Sequence, residues 1–241
     1  MTPTYPVSNV RRNVLRAWGV HLYTSLGLVA GFLALLAVID GQLSRVLGFL
    51  GLALFIDATD GSLARAFDVK RWTPHFDGRK LDDITDYLNY TFIPVVFAYR
   101  YGLVTGLAGQ IVLGLVLILS AYGFCQVGAK TDDGYFTGFP NFWNIVILYL
   151  YLFHLTPAAN ALILLFFAAL LLAPLKYITH HTQPFHRLTM IVLSLFAVTL
   201  LLIGVAIPHV PAWLLGLSLL GPIYYLGMSA YLHFTRLNAP R

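Results

Sequence analysis

Two short aspartate patterns lie close together in this chain, and both have helical spacing. The first reads Asp57-x2-Asp60-Gly61-x2-Ala64-Arg65, the second Gly78-x3-Asp82-x3-Asp86. On a helix, Asp57, Asp60, Gly61 and Ala64 stand at i, i+3, i+4 and i+7, so two carboxylates and two very small residues share one face. Small residues let a bulky ligand approach the backbone, and Arg65 closes the stripe with a fork of donors suited to phosphate. Gly78, Asp82 and Asp86 repeat at i+4, with Asn89 and Tyr90 one turn further on. Four carboxylates on neighbouring helices cannot all stay ionised unless cations neutralise them. All-oxygen ligation without Cys or a His partner suits Mg2+ or Mn2+. Two such ions bridged by aspartates serve phosphoryl and phosphodiester chemistry. Asp68 and Asp77 fall in a polar connector, where Asp77 is a candidate helix cap. Asp83 lies about 100° from Asp82 and need not face the same way. The plainer alternative, interfacial aspartates paired with Arg65, Arg79 and Lys80, leaves Gly61, Ala64 and Gly78 without a reason.

The elements that carry these residues are membrane helices. The chain has 241 residues, 59% apolar and only 10% charged, with a mean hydropathy of +0.76. A soluble domain carries about 25% charged residues, so composition excludes a soluble enzyme, a nucleic-acid-binding domain and a disordered chain. All ten acidic residues are aspartates, and seven of them fall between Asp57 and Asp86. An ionised Asp at the centre of a span costs roughly 2.5–3.5 kcal/mol, and such residues usually face a polar interior. The single cysteine, Cys125, excludes an intramolecular disulfide framework.

Apolar runs place spans near 17–39, 43–66, 82–103, 105–127, 142–155, 157–178, 188–207 and 211–234. The expected fold is therefore an all-α integral membrane protein of about eight transmembrane helices. Strands are not competitive, because the runs are long and lack alternation. The fifth run is short, and Pro157 suits a tight hairpin into the sixth. Lysine and arginine placement tests the count. With the N-terminus in the cytoplasm, thirteen basic residues fall inside and only Arg45 and Arg100 outside, as the positive-inside bias requires. Both termini and the aspartate motif then lie on the cytoplasmic side. The net charge of +5 suits a protein among anionic membrane lipids. The first run is too long for a secretory signal and lacks a small-x-small cleavage site, which makes it an uncleaved span. With no linker or repeat, residues 1–241 read as one domain.

The two patterns together resemble the signature of the CDP-alcohol phosphotransferases, integral membrane enzymes that join an alcohol to a CDP-linked substrate and release CMP. Arg65 and Gly78 are separated by twelve residues, more than in most of that family. The longer spacer, the eight runs and the segment Lys130-Thr131-x-Asp133-x-Tyr135-Phe136-x-Gly138-Phe139-Pro140-x2-Trp143-Asn144 resemble its bacterial branch that condenses CDP-diacylglycerol with free choline to form phosphatidylcholine. The resemblance implies that Asp57, Asp60, Asp82 and Asp86 hold two divalent ions, and that Asp86 is also the general base on the alcohol. It assigns Gly61, Ala64, Arg65 and Gly78, with Thr24 and His21 of the first span, to the CDP-diacylglycerol site. Thr24 and Gly27 match a Thr-x-x-Gly pattern of the first span, and His21 stands where Asn is common. For His21 the other reading is a core histidine with a satisfied hydrogen bond. A bacterial inner-membrane location and a homodimer are further implications.

Choline's trimethylammonium group is best held by aromatic faces. Tyr23, Tyr87, Tyr90, Tyr122, Phe139 and Trp143 are candidates, with Asp83 or Asp133 as balancing charge. Each aromatic has a packing role as its alternative. His180, His181 and His186 read as interfacial histidines between spans six and seven rather than a metal site. Two other functions stay open. A related phosphotransferase could use glycerol phosphate or inositol phosphate, with Arg71, Arg79 and Lys80 as its basic pocket. A divalent-cation transporter would also need intramembrane carboxylates, though near the midplane.

Overall fold

The computed structural model describes residues 7–126, 128, 135–179 and 185–237. Its first helix buries mainly small residues and turns large apolar ones outward. Along α1 (Val7–Ile39), Ala17, Ala30, Ala34 and Ala37 are buried, whereas Leu15, Leu22, Leu26 and Phe32 are exposed. That inversion is the packing rule of lipid-embedded helices, where close backbone approach replaces a hydrophobic driving force. The protein is an all-α membrane protein with a small two-stranded ribbon.

Contacts divide the chain into Met1–Ile93 and Pro94–Arg241. In the first unit α1 turns back into α2 (Leu43–Ala66) through Gly41, which takes a left-handed φ of 71°. The short helix α3 (Val69–Trp72) follows, entered through Asp68 at φ 49°, whose carboxylate lies 3.8 Å from the Arg71 guanidinium. Asp77 caps α4 (Gly78–Asp86) by accepting the Lys80 N–H at 3.1 Å, as its sequence position predicts. A six-residue π-helical turn, Tyr87–Phe92, then runs into α5 (Ile93–Arg100). α1 packs against α2, α3, α4 and the π turn.

In the second unit α6 (Gly106–Cys125) packs on α8 (Pro157–Leu172), and α7 (Trp143–Phe153) precedes α8. Thr156 caps α8 by accepting the Ala159 N–H, with Pro157 in the first turn, so the expected tight connection from the fifth run to the sixth is present. Strands β1 (Tyr135–Thr137) and β2 (Lys176–Ile178) pair antiparallel, Tyr135 opposite Ile178. The helices α9 (His186–Ala206), α10 (Ala212–Ser218) and α11 (Leu220–Leu237) pack on one another, and α11 covers β2.

Among the described residues, five helices are long and apolar enough to cross a membrane: Asn9–Ile39, Leu43–Ala66, Gly106–Cys125, His186–Ala206 and Ala212–Thr235. The remaining three expected spans differ. The third is divided by the π turn and starts on a charged helix. The fifth and sixth give helices of 11 and 16 residues, or ~16 and ~24 Å against a ~30 Å hydrocarbon core. The sixth run was expected to reach residue 178, but the helix stops at Leu172 because Pro174 forces Ala173 into an extended conformation. Residues 176–178 form β2 instead.

Candidate active site

The aspartate motifs lie on α2 and α4, both packed within the first unit. Three of the four predicted carboxylates converge: Asp57, Asp82 and Asp86 each offer an oxygen, all within 4.8 Å of one another. All three are partly buried. Like charges at this spacing disfavour full ionisation unless a cation neutralises them, and three oxygen donors form a hard-ligand set. The donor chemistry therefore fits a divalent ion of the Mg2+ or Mn2+ type.

Asp60 is buried one turn beyond Asp57 and stands outside that converging set. Its Oδ2 accepts the Thr24 hydroxyl at 2.8 Å, so α1 fixes its orientation. Asp57 is fixed from the other side, where the Tyr90 hydroxyl donates to its Oδ2 at 2.7 Å. Asn89, beside Tyr90, donates from Nδ2 to the Gly27 carbonyl at 3.1 Å and to the Thr85 carbonyl at 3.0 Å. A Cβ on Gly31 would come within 2.5 Å of Asn89 Oδ1, and one on Gly27 within 2.7 Å of Thr85 Cγ2. These two glycines open α1 to the π turn. The sequence signal for that contact was a Gly-x3-Gly spacing inside an apolar helix.

His21 is buried, with Nε2 2.9 Å from the Thr73 hydroxyl. Thr73 gives its own proton to the Val69 carbonyl at 2.9 Å, so the imidazole Nε2–H is the donor to Thr73. The ring packs on Phe76, and a Cβ at Gly78 would meet its Cε1 at 2.9 Å. Gly78 thus admits His21, and the pair ties the start of α4 to α1. Ala64 packs against the cluster of Ala17, Val20 and Val69. Gly61 is open: a Cβ there would meet only Arg65 Nη1, at 3.6 Å. Arg65 is exposed, donating from Nη2 to Ser62 at 3.1 Å.

The aromatic candidates separate. Tyr87 opens the π turn directly after Asp86 and is partly buried, as is Asp83. Tyr23 bonds through its hydroxyl to Thr59 at 2.7 Å, and Thr59 lies about 200° round α2 from Asp57. Trp143 belongs to the second unit, where it is fully buried and donates Nε1–H to Ser120 at 2.7 Å. Phe139 is buried in the same unit against Trp143, Phe167 and Tyr177. Tyr122, also in that unit, is exposed on α6. Lys130, Thr131, Asp133, His180 and His181 lie outside the described residues.

Membrane helices carrying the Asp57–Asp86 signature around a carboxylate cluster define the class, the CDP-alcohol phosphotransferases. No protein-family model matches the chain. It is 39% identical over 219 residues to the phosphatidylcholine synthase of Pseudomonas aeruginosa, covering 90% of this chain and 91% of that protein. The phosphatidylcholine synthase of Legionella bozemanae is 34% identical over 87% of this chain and 99% of its own length. That of Borreliella burgdorferi is 36% identical over 69% of this chain and 71% of its own. The chain belongs to the phosphatidylcholine synthase family.

Proposed function

We propose that this enzyme transfers the phosphatidyl group of CDP-diacylglycerol to choline, forming phosphatidylcholine and releasing CMP. The observation that carries the reading is the convergence of Asp57, Asp82 and Asp86 on two helices that also present Gly61 and Arg65. In the reaction Asp86 accepts the choline hydroxyl proton. The oxygen attacks the phosphorus nearer the diacylglycerol, and the bond to the CMP phosphate breaks with its electron pair leaving on CMP. An in-line displacement needs no covalent enzyme intermediate. Asp57, Asp60, Asp82 and Asp86 would hold two Mn2+ or Mg2+ ions, whose contribution when bound is to neutralise the pyrophosphate and the departing phosphate. Gly61 leaves room for the nucleotide beside α2, and Arg65 exchanges Ser62 for a phosphate oxygen.

For choline, Asp83 and Tyr87 are the pair we favour. They stand at i and i+4 at the junction of α4 and the π turn, so a carboxylate and an aromatic ring flank the acceptor side of Asp86. We further infer eight membrane crossings in one domain over 1–241. Termini and active site face the cytoplasm of the bacterial inner membrane, and the enzyme works as a homodimer among membrane lipids. The basic-residue asymmetry supports this orientation.

Purified full chain in lipid–detergent micelles with CDP-diacylglycerol, Mn2+ and a panel of alcohols is the direct test. Choline should yield phosphatidylcholine and CMP, EDTA should abolish both, and ethanolamine and serine should compete poorly. Product from glycerol phosphate but none from choline would overturn the acceptor. No CMP release with any alcohol would overturn the reaction.

A further inference from the structure

The π turn begins directly after the proposed base and contains the aromatic residue that bonds Asp57. In an α-helix each i+4 step overshoots a full turn by ~40°, so Asp82, Asp86 and a third residue at i+8 would drift off one line. A π turn is wider, and its i+4 step falls short of a full turn instead. Placing the wide turn at Tyr87–Phe92 offsets the drift and returns Tyr90 to the line of Asp82 and Asp86. The Ile93 N–H closes the wide turn on the Leu88 carbonyl, five residues back. Buried Asn89 holds this turn against α1 through the Gly27 carbonyl, in space that Gly27 and Gly31 leave open. From that anchored turn the Tyr90 hydroxyl reaches Asp57 Oδ2 at 2.7 Å across the helix pair.

A carboxylate rotates freely about its terminal bond, because that torsion is broad and twofold. Fixing one oxygen with a donor orients the other lone pairs. We propose that Tyr90 is a positioning residue, holding Asp57 by its phenol hydroxyl in the orientation that lets it act with Asp82 and Asp86, rather than an aromatic face for choline. The inference rests on the reading of those three aspartates as ligands of a divalent ion. Partners of this kind around a ligand set are worth about 10–100-fold in metal affinity.

Mn2+ uptake by the chelator-stripped full chain, read from the electron paramagnetic resonance signal of free Mn2+, isolates this role from turnover. Tyr90→Phe keeps the ring and removes only the hydroxyl. It should weaken Mn2+ binding about tenfold or more, raise the Mn2+ needed for half-maximal activity in parallel, and leave the choline KM within about twofold. 3-Fluorotyrosine at position 90 keeps the hydroxyl and supplies a second readout in a folded protein. Its fluorine resonance should move during a Mg2+ titration and stay still on adding choline. Wild-type Mn2+ affinity in Tyr90→Phe, or a fluorine signal that answers choline and not Mg2+, overturns the proposal alone. A wild-type chain that takes up no Mn2+ overturns the ligand reading and this proposal with it.

Discussion

Asp86 and Asp60 are both motif aspartates, yet their surroundings give them different work. Asp86 is partly buried and meets Asp57 and Asp82, whereas Asp60 is buried and already bonded to Thr24. Asp86→Asn should lower kcat by about 10²–10⁴-fold, the range for losing a general base, and leave CDP-diacylglycerol affinity within a few fold. Wild-type turnover in the purified variant would remove Asp86 from the chemistry. Gly61 tests the nucleotide side. Space above it is open, so Gly61→Leu should fold with little change in melting temperature and lose CDP-diacylglycerol binding by tenfold or more. Normal binding would make Gly61 a residue of helix packing only. The carboxylates were legible in the sequence because an acid in an apolar run costs free energy and needs a reason. The hydroxyls that orient them were legible as positions but not as partners: Thr24 and Tyr90 stood out in the sequence, and only folding sets Thr24 2.8 Å from an Asp60 oxygen and Tyr90 2.7 Å from an Asp57 oxygen.

At the scale of elements, α2 (Leu43–Ala66) and the end of α1 at Ile39 follow from apolar runs bounded by a glycine turn and agree with hydropathy, whereas α1 starts at Val7, ten residues before the expected span, through a stretch carrying Arg11, Arg12 and Arg16. The π turn does not follow. Nothing in Tyr-Leu-Asn-Tyr-Thr-Phe sets it apart from an α-helical segment, and its cause is tertiary: Asn89 and Thr85 fit where α1 lacks side chains. Gly31→Val should therefore act on the turn. The added carbons collide with Asn89 Oδ1, at a cost of about 1–3 kcal/mol for overpacking, seen as a lower melting temperature in micelles. Asn89→Ala in the same chain should recover part of that loss, and the two changes should couple in a double-mutant cycle. Additive effects would mean that Gly31 and Asn89 do not meet as described. β2 was hidden for a different reason: the hydrophobic run continues to Ile178, and the helix is ended locally by Pro174.

The whole molecule carries its own probe of topology, a single cysteine exposed at the end of α6. With eight crossings and a cytoplasmic N-terminus, Cys125 faces the cytoplasm. A membrane-impermeant maleimide should label it in inverted membrane vesicles and not in intact cells with a permeabilised outer membrane. Labelling from the outside would reverse the orientation or change the number of crossings before residue 125. Composition made the membrane legible at once, because 10% charge cannot cover a water-soluble surface. The wide turn at Tyr87–Phe92 also bears on heredity. A π turn is an α-helix holding one residue more than its neighbours require. Loss of a single codon there would turn it into plain α-helix and leave hydropathy, span count, every aspartate of the motif and the register of the following helix unchanged, yet remove the wide turn that Asn89 anchors on α1. An in-frame deletion of three nucleotides in that turn, which leaves the aspartate motif intact, should therefore act through the placement of Tyr90 and lower Mn2+ affinity while the base itself stays in place.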